Sequence, residues 1–143
     1  MVPTPLAARF HQTAERQPCT VPTLWQQTLA DFIQQGHFWR HLKKMRASYS
    51  QRRQWLESAL QAQGFQVTPQ QGGIQLVMPV SGNDRLLARQ AVEAGLAVQA
   101  LSDWRLRHAG EGGLLMSFTN IRSAAMADAL ARRLREAIAN DGA

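Results

Sequence analysis

The stretch from His37 to Gln63 contains neither glycine nor proline, and a glycine stands on each side of it, Gly36 and Gly64. Phe38, Leu42, Met45, Tyr49, Leu56 and Leu60 recur within it at spacings of three, four or seven. That period places them on one side of a helix, so the spacing predicts one long helix closed by Gly64. Everything else in the chain has to be arranged around it.

Upstream, Leu6, Phe10 and Ala14 have helical spacing, which predicts a helix near residues 4 to 16, broken at Gln17, Pro18, Cys19 and Thr20. A second amphipathic helix follows, with Thr23 as its N-cap, Leu24, Leu29, Phe32 and Ile33 along it, and Gln35-Gly36 at its end. Downstream the pattern changes. Phe65-Gln66-Val67 and Ile74-Gln75-Leu76-Val77-Met78 alternate around the turn residues 69–73, predicting two antiparallel strands, the second ended by Pro79 and Gly82. Asp84 to Ala94 reads as a helix stopped by Gly95, Leu96 to Ala100 as a strand, Leu114 to Phe118 as a strand, and Ala125 to Ala139 as a last helix. Three helices followed by β-β-α-β-β-α predict an α+β fold with helices covering one face of a small sheet.

Length and composition narrow the function classes. A chain of 143 residues fits one domain-sized core, and 45% hydrophobic with 18% charged residues is ordinary for a globular protein. Cys19 is the single cysteine, so neither an internal disulfide nor a cysteine-based zinc site can form. No segment resembles a leader or an apolar membrane span, and a cytoplasmic location is expected. The net charge of +6 is compatible with an acidic partner such as nucleic acid, and its distribution matters more than its total.

Beyond periodicity, particular residues resemble a family. Pro22 to Ile33 is similar to the segment P-x-L-x-Q-x-A-L-A-x-F-I of the MocR type of regulator, in which a GntR-like winged helix precedes an aminotransferase-like domain. Gly36 to Arg46 resembles that family's G-H-F-x-R-H-x-R-x-M-R, continued by Tyr49 and the Arg52-Arg53 pair. Gly73 to Leu76 is similar to its G-x-H-L strand and Gly95 to Ser102 to G-V-x-V-x-x-L-S. The resemblance covers nearly the whole chain and implies the small C-terminal domain of a fold-type I pyridoxal-phosphate (PLP) protein. Residues 1–36 would then border the large PLP domain and 37–143 would form the small domain. It further implies that the winged helix, the large domain, the Schiff-base lysine and the phosphate-binding arginine belong to sequence ahead of Met1.

Transamination needs a lysine amine to hold the aldehyde and move the proton, and an acid beside the pyridinium nitrogen. Lys43 and Lys44 are the two lysines here, mid-helix among arginines with no glycine-rich cradle nearby. The resemblance therefore implies a non-catalytic chain that binds no cofactor alone, with PLP belonging to the intact family. It also implies a small-domain arginine that pairs bidentately with a substrate or effector carboxylate just ahead of the Leu114-Leu115-Met116 strand. Gly112 and Gly113 occupy that place, leaving Arg105 and Arg107 in the preceding loop as the candidates.

Other signals point elsewhere. His37 and His41, four apart, could share a metal ion, but no third ligand follows; the resemblance implies instead that they cap and pack the start of the long helix. Between Gly36 and Gly64, Arg40, Lys43, Lys44, Arg46, Arg52 and Arg53 face Glu57 alone, with Phe38, Trp39 and Tyr49 interleaved. Such a helix could follow a phosphate backbone, with Arg40, Lys43, Lys44 and Arg46 as contacts. It could equally complete an interface with the large PLP domain or a sister subunit, and a chain lacking that partner would self-associate through exposed apolar surface. The stripe Met126, Leu130, Leu134, Ile138 reads as the inner face of the last helix.

Overall fold

The computed structural model describes residues 2–16, 21–68, 72–106 and 110–139. The helices are α1 (Thr4–Arg16), α2 (Thr23–Gln34), α3 (His37–Ala62), α4 (Asp84–Glu93) and α5 (Ala124–Ala139). The strands are β1 (Gln75–Val80), β2 (Val98–Ala100) and β3 (Gly112–Ser117), and a 3₁₀ turn spans Leu101–Trp104. The fold is α+β, with a sheet of order β1-β3-β2 and both pairings antiparallel. Two compact units divide the chain, Met1–Lys43 and Lys44–Ala143.

The second unit holds the core. Its register sets Leu76 opposite Met116, Met78 opposite Leu114, Val98 opposite Met116 and Ala100 opposite Leu114, so these six share one face of the sheet. All six are buried, together with Leu56, Ala59 and Leu60 of α3, Ala88 and Ala91 of α4, and Ala127, Ala131 and Leu134 of α5. The alanines let the helix backbones approach the sheet closely. Phe118 and Ile121, just past β3, join the same cluster, and the Phe118 ring meets Tyr49 edge-on at 6.5 Å. Arg52 lies over the Tyr49 ring at 5.7 Å and donates to the Thr119 carbonyl, which ties α3 to the segment after β3.

Glycines end the helices as the sequence predicts, and α5 reinforces the ends. At α3, Gly64 has φ +81°, its N–H reaches the Gln61 carbonyl at 2.9 Å, and the Phe65 N–H reaches Leu60 at 3.0 Å. At α4, Gly95 has φ +78°, with Gly95 N–H to Val92 at 2.8 Å and Leu96 N–H to Ala91 at 2.9 Å. These pairs satisfy carbonyls that a helix end otherwise leaves open. Arg135 of α5 donates to the Gln63 carbonyl and sits over the Phe65 ring at 5.9 Å. Arg133 lies so near Gly95 that a Cβ there would be 3.0 Å from its Nη2. Both guanidinium groups stand where the helix dipoles are negative.

Four details depart from the sequence reading. Phe65-Gln66-Val67 is not a strand: the Phe65 N–H is spent on the α3 cap, and Phe65 and Val67 pack against the core without joining the sheet. The order is therefore β-α-β-β-α, and β1 pairs with β3 rather than with residues 65–67. Pro79 lies inside β1 instead of ending it, which an edge strand permits because a missing N–H there needs no partner. Thr23 is the first residue of α2, not its cap; Pro22 holds the cap position without a side-chain bond. The expected breaks at 17–20 and 69–71 lie outside the described residues.

The first unit has a different character. None of its described residues is buried, and Leu6, Phe10, Leu24, Trp25, Leu29 and Phe32 all stand exposed on α1 and α2. Within it, His37 stacks on Phe32 with ring centroids 5.6 Å apart, and its Nδ1 bonds Arg40 Nη2 at 2.8 Å.

Candidate functional site

The sequence directs attention to the loop after β2, where Arg105 and Arg107 stand. Arg107 lies outside the described residues. Arg105 is half-buried just past the 3₁₀ turn, and its guanidinium occupies the space over Gly110 that a Cβ would fill. Among the described residues its Nη1 is buried without a hydrogen-bond partner. A buried, unpaired guanidinium nitrogen is costly unless something anionic meets it.

One carboxylate organises this end of the sheet. Asp84 opens α4, where Asn83 caps the helix by accepting from the N–H groups of Arg85 at 3.1 Å and Leu86 at 3.3 Å. Asp84 is only 2% exposed. Its Oδ2 accepts from the Ser102 N–H at 3.0 Å, the Ser102 hydroxyl at 2.9 Å and the Gly113 N–H at 3.0 Å. Burial by itself pushes this carboxyl up, but the bonds from Gly113 and Ser102, with Arg85 nearby, outweigh it and hold the pKa below the ordinary value. Arg85 in turn pairs with Asp103 at 2.6 Å and donates to the Ser102 carbonyl at 3.2 Å. Asp84 thus joins α4, the 3₁₀ turn and the start of β3, the three elements that frame the loop bearing Arg105.

Asp84 was not among the sequence-based candidates. An acid at a helix start is an ordinary surface feature, and only the pairing of three distant elements shows its role.

An open recess of about 760 Å³ borders the same end, lined by Phe65, Val80, Leu87, Glu111 and Ile138 among others. Glu111 is the charged side chain on its wall, so this recess does not suit a carboxylate ligand. Among the described residues, the strand positions on the outer face of the sheet, Val77, Gln99 and Leu115 among them, include no arginine.

Lys43 and Lys44 both stand exposed on α3. A Schiff-base lysine is usually primed by desolvation or a neighbouring cation and reaches a cofactor held by its phosphate. Solvated ammonium groups on a helix surface do not fit that arrangement, and no step of PLP chemistry is derived from them. Arg40 and Arg46 are exposed on the same helix, as are His41 and Trp39. Among the described residues no group of three His, Cys, Asp or Glu side chains comes together to hold a metal, and no helix is long and apolar enough to cross a membrane.

The geometry defines an α+β architecture in which an antiparallel sheet is backed by α4, α5 and the later turns of α3. The family model for aminotransferase class I and II matches residues 7–138, and the chain belongs to that family. Similar solved structures include kynurenine aminotransferase of Pyrococcus horikoshii, at 18% identity and TM-score 0.68, covering 79% of this chain and 29% of that one. An aspartate aminotransferase tetra mutant of Thermus thermophilus matches at 22% identity and TM-score 0.70, covering 88% of this chain and 34% of that one. An aromatic aminotransferase of P. horikoshii matches at 19% identity and TM-score 0.59, over 71% of this chain and 27% of that one. The chain therefore spans about a third of the length of these structures, and the likeness shows the fold. Comparison with curated proteins gives no match.

Proposed function

We propose that this chain is the small-domain portion of a MocR-type, PLP-dependent transcriptional regulator, and that it has no transaminase activity of its own. In the intact protein it closes over PLP and an amino-compound effector carried by a large domain, and PLP there acts as an electron sink. The observation that carries the reading is the exposure of both lysines, Lys43 and Lys44, beside a core that is complete without them. The motifs from Pro22 to Arg53 and from Gly95 to Ser102 support the regulator over an enzyme. The apolar side chains of α1 and α2 suit a partner surface, either the large domain or the sister subunit of a dimer. Arg105, with its buried unpaired nitrogen, is the residue we assign to the effector carboxylate, together with Arg107. The cell compartment that fits such a regulator is the cytoplasm.

The test is a titration of the purified chain with PLP, followed by absorbance and borohydride trapping. The reading predicts no stoichiometric, site-specific adduct. A stoichiometric adduct at Lys43 or Lys44 would overturn it.

A second reading rests on the exposure of Arg40, Lys43, Lys44 and Arg46 along α3 beside Trp39, itself 62% exposed. In it the helix binds nucleic acid directly, and affinity falls steeply as salt rises because phosphate counterions are released. Binding that ignores salt would exclude it.

A further inference from the structure

The opposite end of the sheet carries a recess that neither the fold nor the proposed function uses. It has a volume of about 490 Å³ and lies between α3 and the glycines that precede β1. Arg46, Tyr49, Ser50 and Arg53 line it from α3, spaced three, four and seven apart and so on one side of the helix. Gly72 and Gly73 form the facing wall, with Phe118 at the base.

The two wall glycines have φ +107° and +81°, and a Cβ added to either would meet nothing within 4 Å. Bare peptide planes and open space thus face the helix. The charged groups divide unequally. Arg53 pairs with Glu57 at 3.3 Å, and Arg52 is engaged with Thr119 and the Tyr49 ring. Arg46 is exposed and makes no ion pair or hydrogen bond among the described residues. The hydroxyls of Ser50 and Tyr49 likewise have no partner among them. The recess therefore presents a free guanidinium fork, two free hydroxyls and a half-buried aromatic ring, within the ~300–1,000 Å³ range of small-molecule sites.

We propose that this recess binds a small aromatic carboxylate. The carboxylate takes the Arg46 guanidinium in the planar, bidentate geometry that Arg and carboxylate share, with Ser50 donating a further bond. The flat ring lies against the side-chain-free Gly72-Gly73 backbone and the Tyr49 ring, which exclude water from one side. This site is distinct from the Arg105 loop. Gln75 pairs with Ser117 at one end of β1 and Val80 with Gly112 at the other, so the two ends of the strand are roughly 17 Å apart at ~3.4 Å per residue. A ligand of this size cannot touch both, and the proposal stands independently of the regulator reading.

The experiment is a titration of the full chain with benzoate, read by amide shifts in two-dimensional NMR. Acetate, benzyl alcohol and inorganic phosphate serve as comparison ligands. We expect saturable shifts at Ser50, Gly72 and Gly73, weaker binding of acetate and benzyl alcohol, and competition by salt. Arg46→Ala should weaken benzoate by about tenfold, and Arg46→Lys by less because it keeps the charge but loses the fork. Arg105→Ala should leave benzoate binding unchanged. The proposal is overturned by non-saturable shifts, by an Arg46→Ala variant that binds as tightly as the parent, or by shifts that map to the Arg105 loop. Inorganic phosphate binding as tightly as benzoate would overturn the aromatic part of the assignment.

Discussion

The two units of this chain have nearly opposite surfaces. In Lys44–Ala143, helices and sheet share one continuous buried cluster, from Leu56 on α3 to Leu134 on α5. In Met1–Lys43, ten large apolar side chains are exposed, including Trp25 at 66% and Leu24 at 71%, and no described residue is buried. Both regions have amphipathic helices of ordinary composition, so the difference does not come from local pattern. It comes from whether the chain brings a second apolar layer to each helix. For α4 and α5 the sheet supplies that layer; for α1 and α2 no described residue of their own unit does. Amphipathic periodicity reports that a face must be covered, and it leaves open what covers it.

The largest effect that would sharpen this contrast lies in the core. Leu60→Ala or Leu114→Ala removes a side chain that is fully buried and should cost about 2–5 kcal/mol in denaturant unfolding. A cost within the range of surface substitutions would mean that the second unit is not the stable one.

Next comes Asp84. Asp84→Ala leaves the N–H groups of Ser102 and Gly113 without their acceptor and should cost about 2–3 kcal/mol. Because the folded pKa is depressed, the stabilisation is fully present above the unfolded carboxylate value. It is lost as pH falls from that value through the lower folded one. Asp84→Asn should therefore flatten the acid limb of a stability–pH curve measured below about pH 4. An unchanged acid limb would show that Asp84 does not carry it.

A smaller effect is expected at the helix ends. Arg135→Ala removes the bond to the Gln63 carbonyl and the contact with the Phe65 ring, and should lower stability by about 1 kcal/mol. The smallest is in the first unit, where Leu29→Ala should change unfolding by no more than about 0.5 kcal/mol. The same substitution should reduce self-association seen by sedimentation. A large loss of stability from Leu29→Ala would break the comparison outright.

Much of the fold was legible in the sequence because its punctuation is glycine. Gly64 and Gly95 end α3 and α4 through their positive φ, and the long helix between Gly36 and Gly64 follows from the absence of any breaker. The false strand at Phe65-Gln66-Val67 has a clear cause. Alternation records which side chains turn inward, whereas a strand also needs free N–H groups and a neighbouring edge, and the Phe65 N–H is committed to Leu60. The site was less legible. Arg105 could be named only through the family resemblance, because the position that resemblance points to holds Gly112 and Gly113, and its approach to Gly110 leaves no mark in the sequence. Asp84 gave no signal because its three partners come from residues 102 and 113, far along the chain. The recess at Arg46 was hidden for the same reason: its glycine wall is remote from α3 in sequence.

The most direct measurement of the central claim is hydrogen exchange followed residue by residue on the intact chain. Strong protection is expected of β3, of α5 and of the end of α3 around Leu56 to Leu60, with α1 and α2 exchanging orders of magnitude faster. Protection of α1 and α2 equal to that of β3 would contradict it. It would mean that the apolar faces of α1 and α2 are covered in solution.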